Sequence, residues 1–490
     1  MLIATMTGRA VVTMFAGILL AVTSCSCKGD KKAPPAPTPA GSAGSGEAAG
    51  PWSLEKAAAP YRGVTLRTIG ESLPPLEAMG RLKADFEKRT GIKVVIEMYE
   101  HSEAVNKVML DLNSKVGRYD FILQPHRELG RFVTNGHLLS IEKFLNNPAL
   151  RDPSFVPEKV LQPVLWKEIS QYDGKIYGFP FTALTMYVWY RKDLLADPQE
   201  QAGFKAKFGY DLKVPTTWKE YSDAAAWFNH PEKKFYGTAI QGKRHEALWY
   251  EWLNFLYSFG GDMMQTDTGS KCGPIIVNSP EAVASLEYYK SLIPYSPPDT
   301  LNYFWDDVMA LMQQGKVFEL VMWNDSTYAV EDPAQSKVSG KMGFTTLPVQ
   351  PGSKAGQSGQ SGKTGQIEGW TYLIPTDSKN PEAAYLFIQW MMGFDQQLAQ
   401  HLGGGASSRP DVYAQPDVKK LSYSQASMDT NAVARPKPTL PQSPEITDIL
   451  VRELSLALSG TKSAKQALDT AAVEMNKLLG ACAPLTYPVQ

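Results

Sequence analysis

The 490-residue chain lacks several features that would fix a function at once. It has four cysteines, too few for a fold built on disulfides. None of its six histidines forms an H-x-x-x-H pair and no C-x-x-C occurs, so a structural or hydrolytic zinc site has no support. No metal or other cofactor is expected. A G-x-S-x-G nucleophile elbow is also missing. Gly362-Lys363-Thr364 copies the tail of a phosphate loop, but Gln357 stands where the leading glycine belongs and the flanks are low-complexity. With 49 basic and 50 acidic residues, the positive excess that a nucleic-acid partner demands is absent. Beyond the amino terminus no apolar run reaches the ~18 residues of a membrane span. Carboxylates are abundant, so a glycosidase acid pair converging in space stays open.

What is present is an ordinary globular composition, 43% hydrophobic and 20% charged, with aromatics at 11%, in a length that suggests about two or three domains. At the amino terminus Arg9 precedes an apolar stretch, Ala10 to Val22, and then small residues. Val22-Thr23-Ser24-Cys25 resembles the bacterial lipobox, which implies a signal peptide over 1–24 and a diacylglycerol on Cys25. Cys27 fits that role less well, and a plain secretory signal is the alternative. Residues 25–60, rich in Pro, Ala, Gly and Ser, hold few large apolar side chains and are expected to be a disordered tether of roughly 30–35 Å r.m.s. reach. The protein is thus expected to be exported and anchored facing the periplasm or cell exterior. In that oxidising setting Cys272 and Cys482 have the option of a disulfide, with Cys27 left as an odd thiol.

From Val64 the chain alternates strand and helix patterns. Val64–Ile69, Ile92–Met98 and Tyr119–Leu123 read as strands, separated by helical stripes that close at Gly91 and Gly117. Such alternation predicts an α/β fold with a mostly parallel sheet, whose ligands meet the loops at the carboxyl ends of strands. Here those loops are Gly70-Glu71-Ser72 and Gln124 to Glu128. A second α/β set follows, with a strand at Tyr236–Gln241, an aromatic helix at Ala247–Phe259, a helix capped by Ser279 and strands at Val317–Trp323 and Met342–Leu347. Residues 349–366 read as a surface loop, Trp370–Ile374 as a strand, and the carboxyl end as two amphipathic helices.

The order of these pieces resembles the family 1 extracellular solute-binding proteins, the maltose-binding-like receptors of ABC importers. The pieces are FEKRTGIKV, YDFILQ, NGHLLSIEKFL, YGFPFTALTMYVWYRKDLL, VPTTWKEY, GGDM, FELVMWNDS, EGWTYLIP and NPEAAYLFIQWM, spread from Val64 to Leu479. The resemblance implies a two-lobed periplasmic-binding-protein fold with crossover hinge segments and a helical C-terminal region. Lobe 1 would comprise 61–180 plus 354–394 and lobe 2 187–345 plus 401–490, with hinges near 181–186, 346–353 and 395–400. It further implies a non-enzymatic monomer that takes a sugar, oligosaccharide or polyol and delivers it to an ABC permease.

Against the family pattern the ligand-binding candidates are Glu71, Ser72, Gln124, Arg127 and Glu128 from the first lobe and Trp323, Asn324 and Asp325 from the second. Trp370 with Gly369, and Arg409 in the loop Gly403–Arg409, complete the set, with Arg244, His245 and Trp249 as a weaker group. Aromatic rings suit a sugar because they cover C–H patches while acids, amides and guanidinium groups satisfy hydroxyls. Each candidate has a plainer reading: Trp323 and Trp370 as core, Glu71 and Arg127 as solvated loop charges, Arg409 as a pin for its own loop. Sugar receptors of this type often carry an aromatic ring where Gln124 stands and an acid near the first crossover, where this chain has Thr182, Leu184 and Thr185. That departure favours a smaller sugar, disaccharide or polyol over a long maltodextrin. The alternatives are the same fold binding glycerol phosphate, a peptide or a polyamine, which the charge of the cleft would separate, or an exported carbohydrate-active enzyme.

Overall fold

A computed structural model describes residues 51–489 except 267–268 and 354–363. The expected signal peptide, the Cys25 anchor, Cys27 and the tether up to residue 50 lie outside the described residues. The last part of the expected tether is folded. Ser53 caps a helix, Leu54–Ala58, whose Leu54, Ala57 and Ala58 are buried against the helices Pro74–Thr90 and Pro381–Met391. Two alanines and one leucine suffice there because the neighbouring helices approach closely, a property that composition alone does not reveal.

The first sheet region begins with β1 (Thr65–Glu71) and β2 (Lys93–Tyr99), which pair in parallel from Thr65 opposite Lys93 to Glu71 opposite Tyr99. The Pro74–Thr90 helix joins them and ends at Gly91, whose φ of 72° is open to glycine at little cost. After the helix His101–Ser114 comes β3 (Ile122–Pro125), then a small hairpin of β4 (Gln171–Tyr172) and β5 (Lys175–Ile176), and β6 (Gly178–Pro180). The second region is organised on β7 (Leu184–Arg191), which pairs antiparallel with β8 (Glu319–Trp323), β9 (Met342–Thr345) and β10 (Ile367–Glu368). The chain then returns to the first region as β11 (Trp370–Leu373), set between β3 and β6 and antiparallel to both.

The sheets are therefore less parallel than expected, since β1 with β2 is the one parallel ladder among the named strands. Connectivity explains this. A strand arriving from the other lobe enters at the edge where the native strands end, so it must run against them. Hence β7 starts beside the end of β8, with Met186 opposite Trp323, and β11 starts beside the end of β3, with Trp370 opposite Pro125. One edge of each sheet collects strand ends and strand starts together.

The chain crosses between regions at Phe181–Ala183, at Gly369 and along Gly403–Arg409. Thr364, Gly365 and Gln366 are buried against the second region, where Gln366 donates its backbone N–H to Asn254 Oδ1 at 3.1 Å, so the expected surface loop ends early. The helix Phe394–Leu402 still packs on the first region, with Gln400 Nε2 donating to the Pro75 carbonyl at 3.3 Å. The first and third crossings are stitched side by side, Ala183 N–H to the Ala406 carbonyl at 3.0 Å and Ser408 Oγ to the Pro180 carbonyl at 2.8 Å. At Gly369 a Cβ would meet the Thr182 carbonyl at 2.8 Å, so any side chain would push the two crossings apart.

Helices complete the second lobe. Glu246–Ser258 is buried on nearly every side, which its aromatic sequence demands, and Ser279 caps Pro280–Ser291. Tyr236–Gln241 forms only a single bridge, Tyr236 to Val317, in place of the expected strand. The carboxyl-terminal pair is Ser443–Leu458 and Ala464–Leu479, the latter opened by a Ser463/Gln466 capping box and stopped at Gly480 with φ 71°. Cys272 and Cys482 are joined by a disulfide that ties the final turn to a loop 210 residues earlier. Among the described residues no helix is long and apolar enough to cross a membrane.

Candidate functional site

The two strand edges meet at one cavity of about 370 Å3, toward the lower end of the ~300–1,000 Å3 of small-molecule clefts. The first lobe lines it with Glu71 and Ser72 after β1, Glu100 and His101 after β2, Pro125 at the end of β3 and Trp370 at the start of β11. The second lobe brings Leu184 at the start of β7, Trp323, Asp325 and Ser326 at and after the end of β8, Tyr250, and Trp305 with Asp306 from the helix Trp305–Gln313. Glu368 stands at the crossing itself.

Two buried ionic groups frame the cavity. His101 places Nδ1 2.8 Å from Glu71 Oε2 and Nε2 2.5 Å from Glu246 Oε1, while Arg127 pairs with the other oxygen of Glu246 and donates to Tyr250 Oη at 2.8 Å. Both contacts of Glu246 join the lobes. Burial, with the charges of His101 and Lys243 nearby, pushes His245 down to about 4 and keeps it neutral beside them. On the other side Glu368 pairs with His126 and with Lys437, all three buried. Burial alone would raise the Glu368 carboxyl, but the His126 and Lys437 charges outweigh it and hold it well below the usual carboxylate range. Burial pushes the Lys437 ammonium down to about 8.

The carboxylates that face the cavity are less compensated. Burial, reinforced by the charge of Glu71, pushes Asp325 up to about 7. Loss of water, then Asp307 and Glu100, also raises Asp306 at the cavity rim. Two ring groups line the wall: His101 lies edge-on to Trp305 and Trp370 at centroid distances of 5.7 and 5.6 Å, and Tyr250 meets Trp323 at 5.4 Å.

Five of the ten residues expected from the sequence line this cavity: Glu71, Ser72, Trp323, Asp325 and Trp370. The other five do not. Gln124 is fully buried inside its sheet, where Nε2 donates to the Leu123 carbonyl at 2.8 Å. Arg127 is turned toward Glu246 and Tyr250, and Glu128 lies behind it, paired with Arg127 and Arg131. Asn324 pins the first crossing, accepting from Thr185 N–H at 3.2 Å and donating to the Ala183 carbonyl at 2.9 Å. Arg409 holds its own loop through Asp411 and the Met392 carbonyl. Of the weaker group, Arg244 and His245 border a neighbouring depression and Trp249 is core.

Residues 81–424, more than half of the chain, match the family described as bacterial extracellular solute-binding protein. The chain belongs to that family. Relatives include a probable ABC transporter-binding protein of Deinococcus radiodurans, 29% identical over 274 residues. That match covers 54% of this chain and 59% of the relative, so it spans less than two thirds of the relative's length. The mannitol-binding protein of Pseudomonas aeruginosa is 23% identical over 432 residues, 83% of this chain and 91% of that one. Among solved structures, an ABC transporter solute-binding protein of Agrobacterium radiobacter K84 in complex with ribitol superimposes with a TM-score of 0.72. It is 28% identical and the match covers 85% of this chain and 99% of that one. The two-lobed architecture of this solute-binding protein agrees with the resemblance read from its motifs.

The cavity residues that the sequence did not single out include Glu100, His101, Tyr250, Trp305, Asp306 and Glu368. For Glu100 and His101 a signal existed: β2 runs parallel to β1, so the loop after it must open on the same edge. Glu368 precedes the Gly369-Trp370 pair that was marked. Tyr250 and Trp305 sit on helices, and no local pattern tells which face a docked helix turns to the cleft.

Proposed function

We propose that this solute-binding protein is the receptor of an ABC importer and captures a small carbohydrate-type solute, a polyol or a sugar of mono- to disaccharide size, by closing its lobes. The observation that carries the reading is the lining of the cavity, in which Trp370 from one lobe and Trp305 and Trp323 from the other surround acids that accept from hydroxyls. The volume of about 370 Å3 favours a compact ligand over a long dextrin. The relatives named for mannitol and ribitol support the same chemistry. A phosphate ester is disfavoured, because no lysine or arginine lines the cavity.

Closure would pivot on the three crossings, with ligand and lobes sharing the buried surface. The chain would be exported, held to a membrane through Cys25 and the segment up to residue 50, act as a monomer and hand its solute to a membrane permease. Titration of the folded protein with alditols and small sugars tests the reading. Reversible binding of an alditol or small sugar, one per chain, supports it, and silence across the panel removes the carbohydrate assignment. Labelling with a radioactive fatty acid that is lost in Cys25→Ser tests the anchor.

A further inference from the structure

Four carboxylates line the cavity, Glu71 and Glu100 from the first lobe and Asp306 and Asp325 from the second. Deep in the cavity Glu71, at the end of β1, acts on the buried Asp325 that follows β8. At the rim Glu100, after β2, acts on Asp306 in the second lobe. Closing the lobes thus brings like charges together, in a setting where their repulsion exceeds that in water. The nearby basic groups are already committed: His101 lies between Glu71 and Glu246, Arg127 pairs with Glu246 and Glu128, and His126 and Lys437 pair with Glu368. Among the described residues none of Glu100, Asp306 and Asp325 has a basic partner within salt-bridge distance, and His101 is the one basic residue of the lining. A bound metal ion would relieve the repulsion, but among the described residues no group of three His, Cys, Asp or Glu side chains could hold one. A proton on Asp325 relieves part of the repulsion; an organic cation relieves it with both carboxylates charged, and the rings of Trp305, Trp323, Trp370 and Tyr250 attract such a cation as readily as they cover C–H groups.

We propose that the solute carries a protonated amine on a polyhydroxylated frame, as in an amino sugar or amino alditol, with its ammonium between Asp325 and Glu71. This deepens the carbohydrate reading and rests on it. A hydroxyl in the same place donates one hydrogen bond and leaves the two charges facing each other, whereas an ammonium offers three donors and neutralises one charge. Glu100 and Asp306 at the rim act as a funnel that favours a cation on approach.

Matched pairs that differ only by –OH against –NH3+ test the proposal: D-glucitol against 1-amino-1-deoxy-D-glucitol, and D-glucose against D-glucosamine, titrated calorimetrically into the full chain at pH 7.5. The expected result is binding about tenfold or more tighter for the amine of at least one pair. That preference should shrink in Asp325→Asn and, more weakly, in the rim variant Asp306→Asn, whose exposed site is tolerant should the buried change impair folding. Raising salt from 50 to 500 mM should weaken the amine and spare its hydroxyl partner. If the hydroxyl members bind as well as or better than the amines, the amine proposal fails and the carbohydrate receptor stands. If neither member of any pair binds, and neutral alditols and disaccharides also fail, both readings fall.

Discussion

His101 Nε2 lies 2.5 Å from Glu246 Oε1, and through that contact the amino-terminal turn of a helix in the first lobe grips that of a helix in the second. With Glu71 Oε2 2.8 Å from the opposite ring nitrogen, the imidazole sits between a carboxylate of each lobe. Arg127 adds a second hold on Glu246 and reaches Tyr250, a cavity residue. The lobes are thus drawn together beside the cavity, while in the proposed account the acids within it oppose closure. A ligand that relieves the second effect lets the first act.

Glu246→Ala removes the acceptor shared by His101 and Arg127. The closed form loses stability while the cavity lining stays intact, so solute affinity should fall about tenfold with little change in which solutes bind. Calorimetry on the variant and the parent, with the best solute of the panel, checks this. Unchanged affinity would mean that these contacts do not contribute to closure.

Trp323→Ala and Trp370→Ala should each weaken binding by about tenfold or more, since each removes a large ring from the ligand's surroundings. Arg409→Ala should behave oppositely. Its guanidinium ties down Asp411 and the Met392 carbonyl away from the cavity, so melting temperature should fall and affinity should hold.

How far the sequence reveals these roles varies with the kind of position. Glu71, Ser72, Trp323, Asp325 and Trp370 sit at strand ends or starts, which hydrophobic patterning locates and the edge rule turns into a cleft. Gln124 and Asn324 are also at strand ends, yet one faces into its sheet and the other binds a crossing backbone, and one residue of register separates these outcomes. Arg127 and Arg409 are charged loop residues whose partners, Glu246 and Asp411, are set by tertiary contact in one case and local turn geometry in the other. The antiparallel course of β7 and β11 follows from where the chain crosses, which strand patterns do not record. Trp305 and Tyr250 depend on helix docking and had no local signal.

Two buried acids of the second lobe predict a pH effect on stability. Burial pushes Glu251 up to about 8, and it raises Glu319, both of whose oxygens lack a hydrogen-bond partner. A carboxyl raised above its unfolded value of about 4.3 stabilises the fold while it stays protonated; that contribution is complete below the unfolded value and is lost as pH climbs toward 8. Melting temperature should therefore decline between pH 5 and 8.5, and Glu251→Gln should flatten the decline. A profile identical in parent and variant would show that Glu251 does not titrate in this range.

The Cys272–Cys482 bridge closes a loop of 210 residues, so it restricts the unfolded chain strongly. Reduction, or Cys482→Ser, should cost about 2–5 kcal/mol and lower the melting temperature without altering the cavity. Thermal denaturation with and without a reductant, run beside a solute titration of the reduced protein, separates the two effects.

The central claim, capture of a carbohydrate-type solute without turnover, is tested most directly by calorimetric titration of the folded full chain against alditols, amino alditols, monosaccharides and disaccharides, with the recovered solute analysed afterwards. The account predicts saturable binding at one site per chain by at least one compact member of the panel, released chemically unchanged. No heat from any member with a protein that melts cooperatively, or a bound glycoside recovered as its hydrolysis products, would contradict it.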